Sequence, residues 1–533
     1  MGASIFMDHT ITLVPNSALQ FYDLNVKTDG TGKSCSFVPV QTVDGLRFDG
    51  VQPFEDTEFF QTDGGEKYNG EDTESFSLDK VCKMFEGEWI PIPMLRNAVG
   101  NNQEILEGPS NWVRGFVGPL ADPEQSTKRD MVLVFDTTVE LSDDVSDSYV
   151  MPTAEDVRAT DTFSIPTRFT DLSNYAKHPW VDAWLDAVHE RVLKRSSRGR
   201  SGFLGTQEEL NEQRVQLHAA YVALLRLISV HGIAPKVRFV DTLSRNAIKD
   251  PIEVDFVLDI GNSRSCGIIV ERMKGRIANL NNSRPVSMRS LSAPNTVFDR
   301  PFPSTLEFCR PNFGSTQLSR QSGRFGAFEW PSAVRVGWEA NRLSFLSEGT
   351  GGNTGMSSPK RYLWSEDKEP QEWRFNRGVA SLGPQPGATA LEPVTNSDHF
   401  ARFTEDGRYI PNLENSVRMV GNVPDAAVTA NFSRSSLMTF LVMELILQVY
   451  SNINAPGERS NQSNADQARE LKRIIMTLPT AMTKPEREIT REQCHTTTNT
   501  VCYRIDTMDV NTELVLHRDD KTSPQTVRCT NDK

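Results

Sequence analysis

Asp259 closes an apolar run (Val254, Phe256, Val257, Leu258) and is followed by a turn of small polar residues, Gly261-Asn262-Ser263-Arg264-Ser265. A second apolar run returns at Ile268, Ile269 and Val270. The pattern predicts a strand, a tight turn and a second strand. A turn rich in hydroxyls and backbone N–H groups can aim donors at a phosphate, while a carboxylate at the strand end holds a hydrated Mg²⁺. This is the sharpest chemical signal in the chain.

Other combinations fail on spacing. Gly30-Thr31-Gly32-Lys33-Ser34 has the ending of a Walker A loop, but Lys27 stands where its first glycine belongs. Asp63 to Glu74 has the length of a calcium loop, yet Tyr68 occupies the position of the sharp-turn glycine. Cys494, His495, Cys502 and His517 lack metal-site spacing. Lys194 to Arg200 is read as a solvated basic loop between helices, and Gly349 to Gly355 as a loop with no strand leading into it.

The elements that must position the turn follow from periodicity. Residues 1–165 read as a β-rich, loop-rich region with short strands at Thr10–Val14, Met131–Phe135 and Phe163–Ile165. Within it, the acidic and aromatic segment 55–79 is expected to be a solvated loop or irregular insertion. Residues 166–250 read as a helical hairpin and linker. Trp180, Val181, Trp184, Leu185 and Val188 form one stripe; Leu217, Tyr221, Leu224, Leu225 and Ile228 form another. Thr206 with Glu209 predicts a capping box, and Gly232 a stop. Residues 251–493 alternate strands and helices as an α/β domain, with an apolar helix at 435–450 and a strand Ile474–Leu478 before Pro479. Thr483 and Glu486 predict a second capping box. Residues 494–533 show no sustained period and are expected to form an atypical, disordered or frameshifted tail.

The chain has 533 residues, enough for two to four domains, with 38% apolar and 24% charged residues. A formal charge of −13 argues against nucleic acid as a generic partner. No uninterrupted apolar run approaches a membrane span, and the N-terminus lacks the features of a secretory signal. Seven widely scattered cysteines point away from a disulfide scaffold and toward a cytoplasmic location.

Val254 to Glu271 resembles the first phosphate loop of the actin-like ATPase superfamily. The order of the segments beyond it is similar to that of the chaperone-type members. It runs through Pro303-Ser304, Val336-Gly337, Lys360-Arg361-Tyr362-Leu363, the helix at 435–450 and Ile475 to Ala481 with Arg487. Together with Trp89 to Pro93, Ser357 to Trp364 and Ile474 to Glu488, these residues resemble the N-terminal part of the bacterial virulence factor SrfB family. The resemblance implies an α/β fold: an incomplete actin-like (ribonuclease H-like) ATPase lobe behind the β-rich region and the helical hairpin. It implies ATP or ADP as ligand with Mg²⁺, and protein partners not identified by sequence. Asp259 would hold the metal through water, residues 261–265 would contact the β- and γ-phosphates, and Lys360 would assist hydrolysis.

The chain departs from the superfamily pattern after Asp259, where neither a second D-x-G-[GT] loop nor a Gly-Gly segment appears. The expectation is a truncated or frameshifted product holding half of the site, with ATP hydrolysis confined to a full-length form. The competing expectation is a non-catalytic scaffold using a degenerate actin-like fold, for which the bulky Arg264 in the phosphate turn speaks.

Overall fold

The computed structural model describes residues 9–528 apart from 28–32, 44, 56, 99–104, 120–127, 141–149, 160, 198–205, 245–248, 273–282, 311–312, 315, 325–326, 348–352, 377–390, 395–399, 401–402, 409, 411–428, 461, 463, 479–481, 493–512 and 519–524. The chain is mixed α/β and folds as two compact units. The first takes residues 1–15, 21–248 and 313–328; the second takes 16–20, 249–312 and 329–533.

In the first unit, three small sheets share one core with the helical hairpin. The hairpin's helices are α1 (Pro179–Ser197) and α2 (Gln207–Val230). Their apolar stripes meet where Trp184 packs edge-on to Tyr221 at 5.3 Å between ring centroids, with Phe85 stacked on Trp184. The expected capping box at Thr206 is present: its hydroxyl accepts from the Glu209 amide, and the Glu209 carboxylate accepts from the Thr206 amide at 2.8 Å. Helix α1 runs through Ser197, so Lys194 to Ser197 are helical rather than part of a loop; residues 198–200 of that basic segment lie outside the described residues.

The segment 55–79 is not an irregular insertion. Phe59–Thr62, Lys67–Asn69 and Glu74–Ser77 are strands of a five-stranded sheet completed by Gly45–Pro53 and Ser34–Thr42. Among its described acids only Glu74 lies in a strand, the others falling in the connecting turns and the helix that follows, while Phe76 turns inward at 1% exposure. Strand alternation survives a high charge content when only one face is buried.

The second unit is built on one large sheet. Its strands are β1 (Ile252–Ile260), β2 (Arg264–Arg272), β3 (Ser283–Pro285), β4 (Arg469–Leu478), β5 (Glu513–Arg518) and β6 (Gln525–Arg528). The spatial order is β3-β2-β1-β4-β5-β6. β1, β2 and β3 are antiparallel neighbours, β4 runs parallel to β1, and β5 runs parallel to β4. Residues 513–518 and 525–528, read from sequence as part of a tail without period, therefore extend the central sheet. Glu513–Arg518 holds the apolar run Leu514-Val515-Leu516 and Gln525–Arg528 only Val527, so neither strand shows the apolar–polar alternation that would mark it.

Helix α3 (Ser436–Ile453) packs against this sheet and is buried along almost its whole length. Near its N-terminal end Phe440 sits within a cage of Phe308, Phe400, Phe403 and Phe432, with ring centroids 5.1–6.0 Å away. The helical run Ser436–Ser460 is long and apolar enough to cross a membrane by composition. However, 94% of its most apolar window is buried inside the fold, as in a core helix.

Candidate functional site

The strand–turn–strand reading is met residue by residue. β1 and β2 pair from Glu253 with Arg272 to Ile260 with Ser265. The turn is closed by the Gly261 amide donating to the Arg264 carbonyl at 3.0 Å. A Cβ on Gly261 would stand 2.4 Å from that carbonyl oxygen, so no side chain fits without opening the turn. Asn262, Ser263 and Arg264 are exposed, Gly261 is half-buried, and Ser265 is buried.

Asp259 is exposed at the carboxyl end of β1. Its partner in register on the parallel strand β4 is Thr477, whose hydroxyl donates to Asp259 Oδ1 at 2.7 Å. The other carboxylate oxygen has no hydrogen bond to protein among the described residues. A single carboxylate with one oxygen oriented and one available suits Mg²⁺, which keeps most of its waters and shares its coordination with phosphate oxygens. In sheets with parallel strands, ligands gather at the carboxyl ends of those strands, which is where Asp259 and Thr477 lie.

Lys360 reaches the same edge. Its Nζ donates to the Ile260 carbonyl at 2.6 Å, between Asp259 and Gly261 in sequence. The lysine is delivered by a 3₁₀ turn, Pro359–Tyr362, preceded by Ser358 in the left-handed region at φ 57°. A serine held there stores roughly 1–3 kcal/mol of strain, a cost usually met where a side chain must be aimed. Burial lowers the Lys360 pKa, against the opposing pull of Asp259 and then Glu486. Glu486 opens the helix at 484–492 and accepts from both the amide and the hydroxyl of Thr483, each at 2.9 Å. Those two bonds, and Lys360 after them, hold its carboxyl below the usual range. Burial raises the Cys266 thiol, and Asp259 adds to the effect.

The structure thus brings together every residue singled out by sequence: Asp259, the 261–265 turn and Lys360. It adds two that local pattern could not give a role, Thr477 and Ser304. Ser304 follows the short strand Phe302–Pro303, which pairs with the start of β2. Its hydroxyl donates to the Gly261 carbonyl at 2.7 Å. The Pro-Ser dipeptide was visible, but not its bond to the turn.

In the first unit, a cluster not singled out by sequence joins Asp182 and Asp186 of α1 to Arg214 and His218 of α2. The ligand atoms of Asp182, Asp186 and His218 lie within 4.8 Å of one another. Arg214 spans both carboxylates, bonding Asp182 at 3.0 Å and Asp186 closer still, so their charge is already answered within the protein. The arrangement reads as a clasp between the two helices.

A carboxylate, a donor-rich turn and a lysine thus lie together at the carboxyl edge of the parallel strands of a mixed α/β unit. The family model for virulence factor SrfB matches residues 4–530, and the chain belongs to that family. No curated protein matches the chain.

Proposed function

We propose that the second unit is an actin-like (ribonuclease H-like) lobe that binds Mg²⁺ with ATP or ADP. The observation that carries the reading is the convergence of Asp259, the exposed 261–265 turn and Lys360 on one sheet edge, although Lys360 lies far along the chain from the other two. The sheet order adds support. An antiparallel trio, β3-β2-β1, is continued by two strands parallel to β1, so the carboxyl ends of three parallel strands face the edge that carries Asp259.

Each residue then has a definite task. Asp259, steadied by Thr477, would hold hydrated Mg²⁺ through water, and that ion would neutralise charge on the phosphates. The turn would offer backbone N–H groups and the Ser263 hydroxyl to the β- and γ-phosphates, with the exposed Arg264 adding a cation nearby. Lys360 would exchange the Ile260 carbonyl for a phosphate oxygen, keeping its charge at the place where negative charge develops in phosphoryl transfer. These residues bind and orient; they grip the nucleotide from one side of the sheet edge.

Calorimetric titration of ATP·Mg²⁺ into the full chain tests the reading, with Asp259→Ala as the comparison. Binding by the wild type that weakens at least tenfold in Asp259→Ala is the expected result. Absence of heat at millimolar nucleotide in the wild type refutes nucleotide binding and leaves the scaffold reading.

A further inference from the structure

We infer that Ser304 is a positioning residue that locks the phosphate turn and the lysine turn into one body, an inference that rests on the nucleotide reading above. Ser304 is 2% exposed and therefore cannot contact a ligand freely, yet it makes four hydrogen bonds to two separate segments of the site. Its hydroxyl donates to the Gly261 carbonyl at 2.7 Å. The same oxygen lies 2.8 Å from the Ser265 hydroxyl, the last residue of the turn. Its amide donates to the Ser263 carbonyl at 3.1 Å. Its carbonyl accepts from the Ser358 amide at 2.6 Å, at the strained residue that starts the lysine turn.

The consequence is mechanical. Residues 261, 263 and 265 are held on one side of Ser304, and Ser358 with the following Lys360 on the other. The phosphate donors and the ammonium therefore keep a fixed separation, and a phosphate chain meets them without reorganisation. The two contacts to the turn's ends close it through the side chain, while the backbone contacts set the register. Only the hydroxyl pair is removed by Ser304→Ala. That substitution leaves the Gly261 carbonyl without its buried donor and the Ser265 hydroxyl without its partner, while the bond to Ser358 persists.

The test combines two measurements on the full chain. The first is hydrogen exchange of peptides covering 259–266 and 356–362 without nucleotide, in wild type, Ser304→Ala and Ser304→Cys. The alanine variant is expected to exchange at least tenfold faster in 259–266 and the cysteine variant to fall between, while 356–362 changes little because the Ser358 amide keeps its bond to the carbonyl of residue 304. The second is a double-mutant cycle on ATP·Mg²⁺ affinity with Ser304→Ala and Lys360→Ala. Lys360→Ala should weaken binding by about tenfold in wild type but at most threefold in the Ser304→Ala background, because the loosened turn no longer holds the phosphates against the lysine. Unchanged exchange in 259–266, or equal acceleration in both peptides, overturns the locking role whether or not nucleotide binds. Additive effects in the cycle overturn the claim that Ser304 holds the turn and Lys360 together as one body. Failure of the wild type to bind nucleotide refutes only the functional reading, since the exchange result stands without ligand.

Discussion

Glu444 offers a quantitative test of how the second unit is held together. It lies in the middle of α3 with no exposure, and its carboxylate accepts from Trp330 Nε1 at 2.8 Å and from Gln448 Nε2 at 3.0 Å. Burial pushes its pKa up to about 7, with Arg335 and the two hydrogen bonds pulling the other way and Glu339 adding to the rise. The folded protein therefore keeps a proton that an unfolded glutamate releases near its ordinary value of 4.5. Since the folded state binds more protons across that window, stability falls as pH rises from about 4.5 to about 7 and then levels off. At 1.36 kcal/mol per unit, the loss is about 3 kcal/mol. Glu444→Gln has nearly the same shape but does not titrate. Its extra amide donor costs a roughly constant 1–3 kcal/mol at every pH. The assay is urea unfolding followed by tryptophan fluorescence at pH 4.5, 5.5, 6.5 and 8, with Trp330 reporting from beside the carboxyl. The stability difference, variant minus wild type, should climb by about 3 kcal/mol in the variant's favour between pH 4.5 and 8. Parallel curves, agreeing within about 0.5 kcal/mol, would refute the argument that burial holds this carboxyl neutral.

Three substitutions extend the same reasoning. Gly261→Ala places a methyl 2.4 Å from the Arg264 carbonyl, so it should weaken ATP·Mg²⁺ binding at least tenfold in calorimetry while shifting the thermal midpoint little. Phe440→Ala empties the centre of a five-ring cluster and should cost about 3–5 kcal/mol in urea unfolding. Thr477→Val removes the hydroxyl that orients Asp259 and keeps the strand's shape. It should raise the apparent Mg²⁺ requirement for nucleotide binding severalfold, and an unchanged Mg²⁺ titration would show that Asp259 needs no such support.

Much of the fold was legible locally. The β1–turn–β2 hairpin, the α1–α2 pair with its Thr206 capping box and the apolar helix α3 all appear where their periods place them. Each is recorded by neighbours within a few residues, so alternation, 3.6-residue stripes and capping types suffice. The segment 55–79 misled because its charges outnumber its buried side chains, although Phe76 alone anchors a strand there. Strands β5 and β6 misled because neither alternates apolar with polar residues and both lie beyond a long stretch without period.

The site divides along the same line. By itself, the order of residues determined that Asp259 ends a strand, that a tight glycine-led turn follows, and that a lysine turn and a buried helix lie downstream. What only the tertiary structure decided is that these pieces meet. The parallel pairing of β1 with β4 brings Thr477 to Asp259 across 218 residues of chain, and Ser304 ties the 261–265 turn to Ser358. A hydroxyl's partner depends on strand register and on how distant segments pack. Neither leaves a mark on the short-range pattern of polar and apolar residues, so the sequence could name the parts of the site but not the bonds that assemble it.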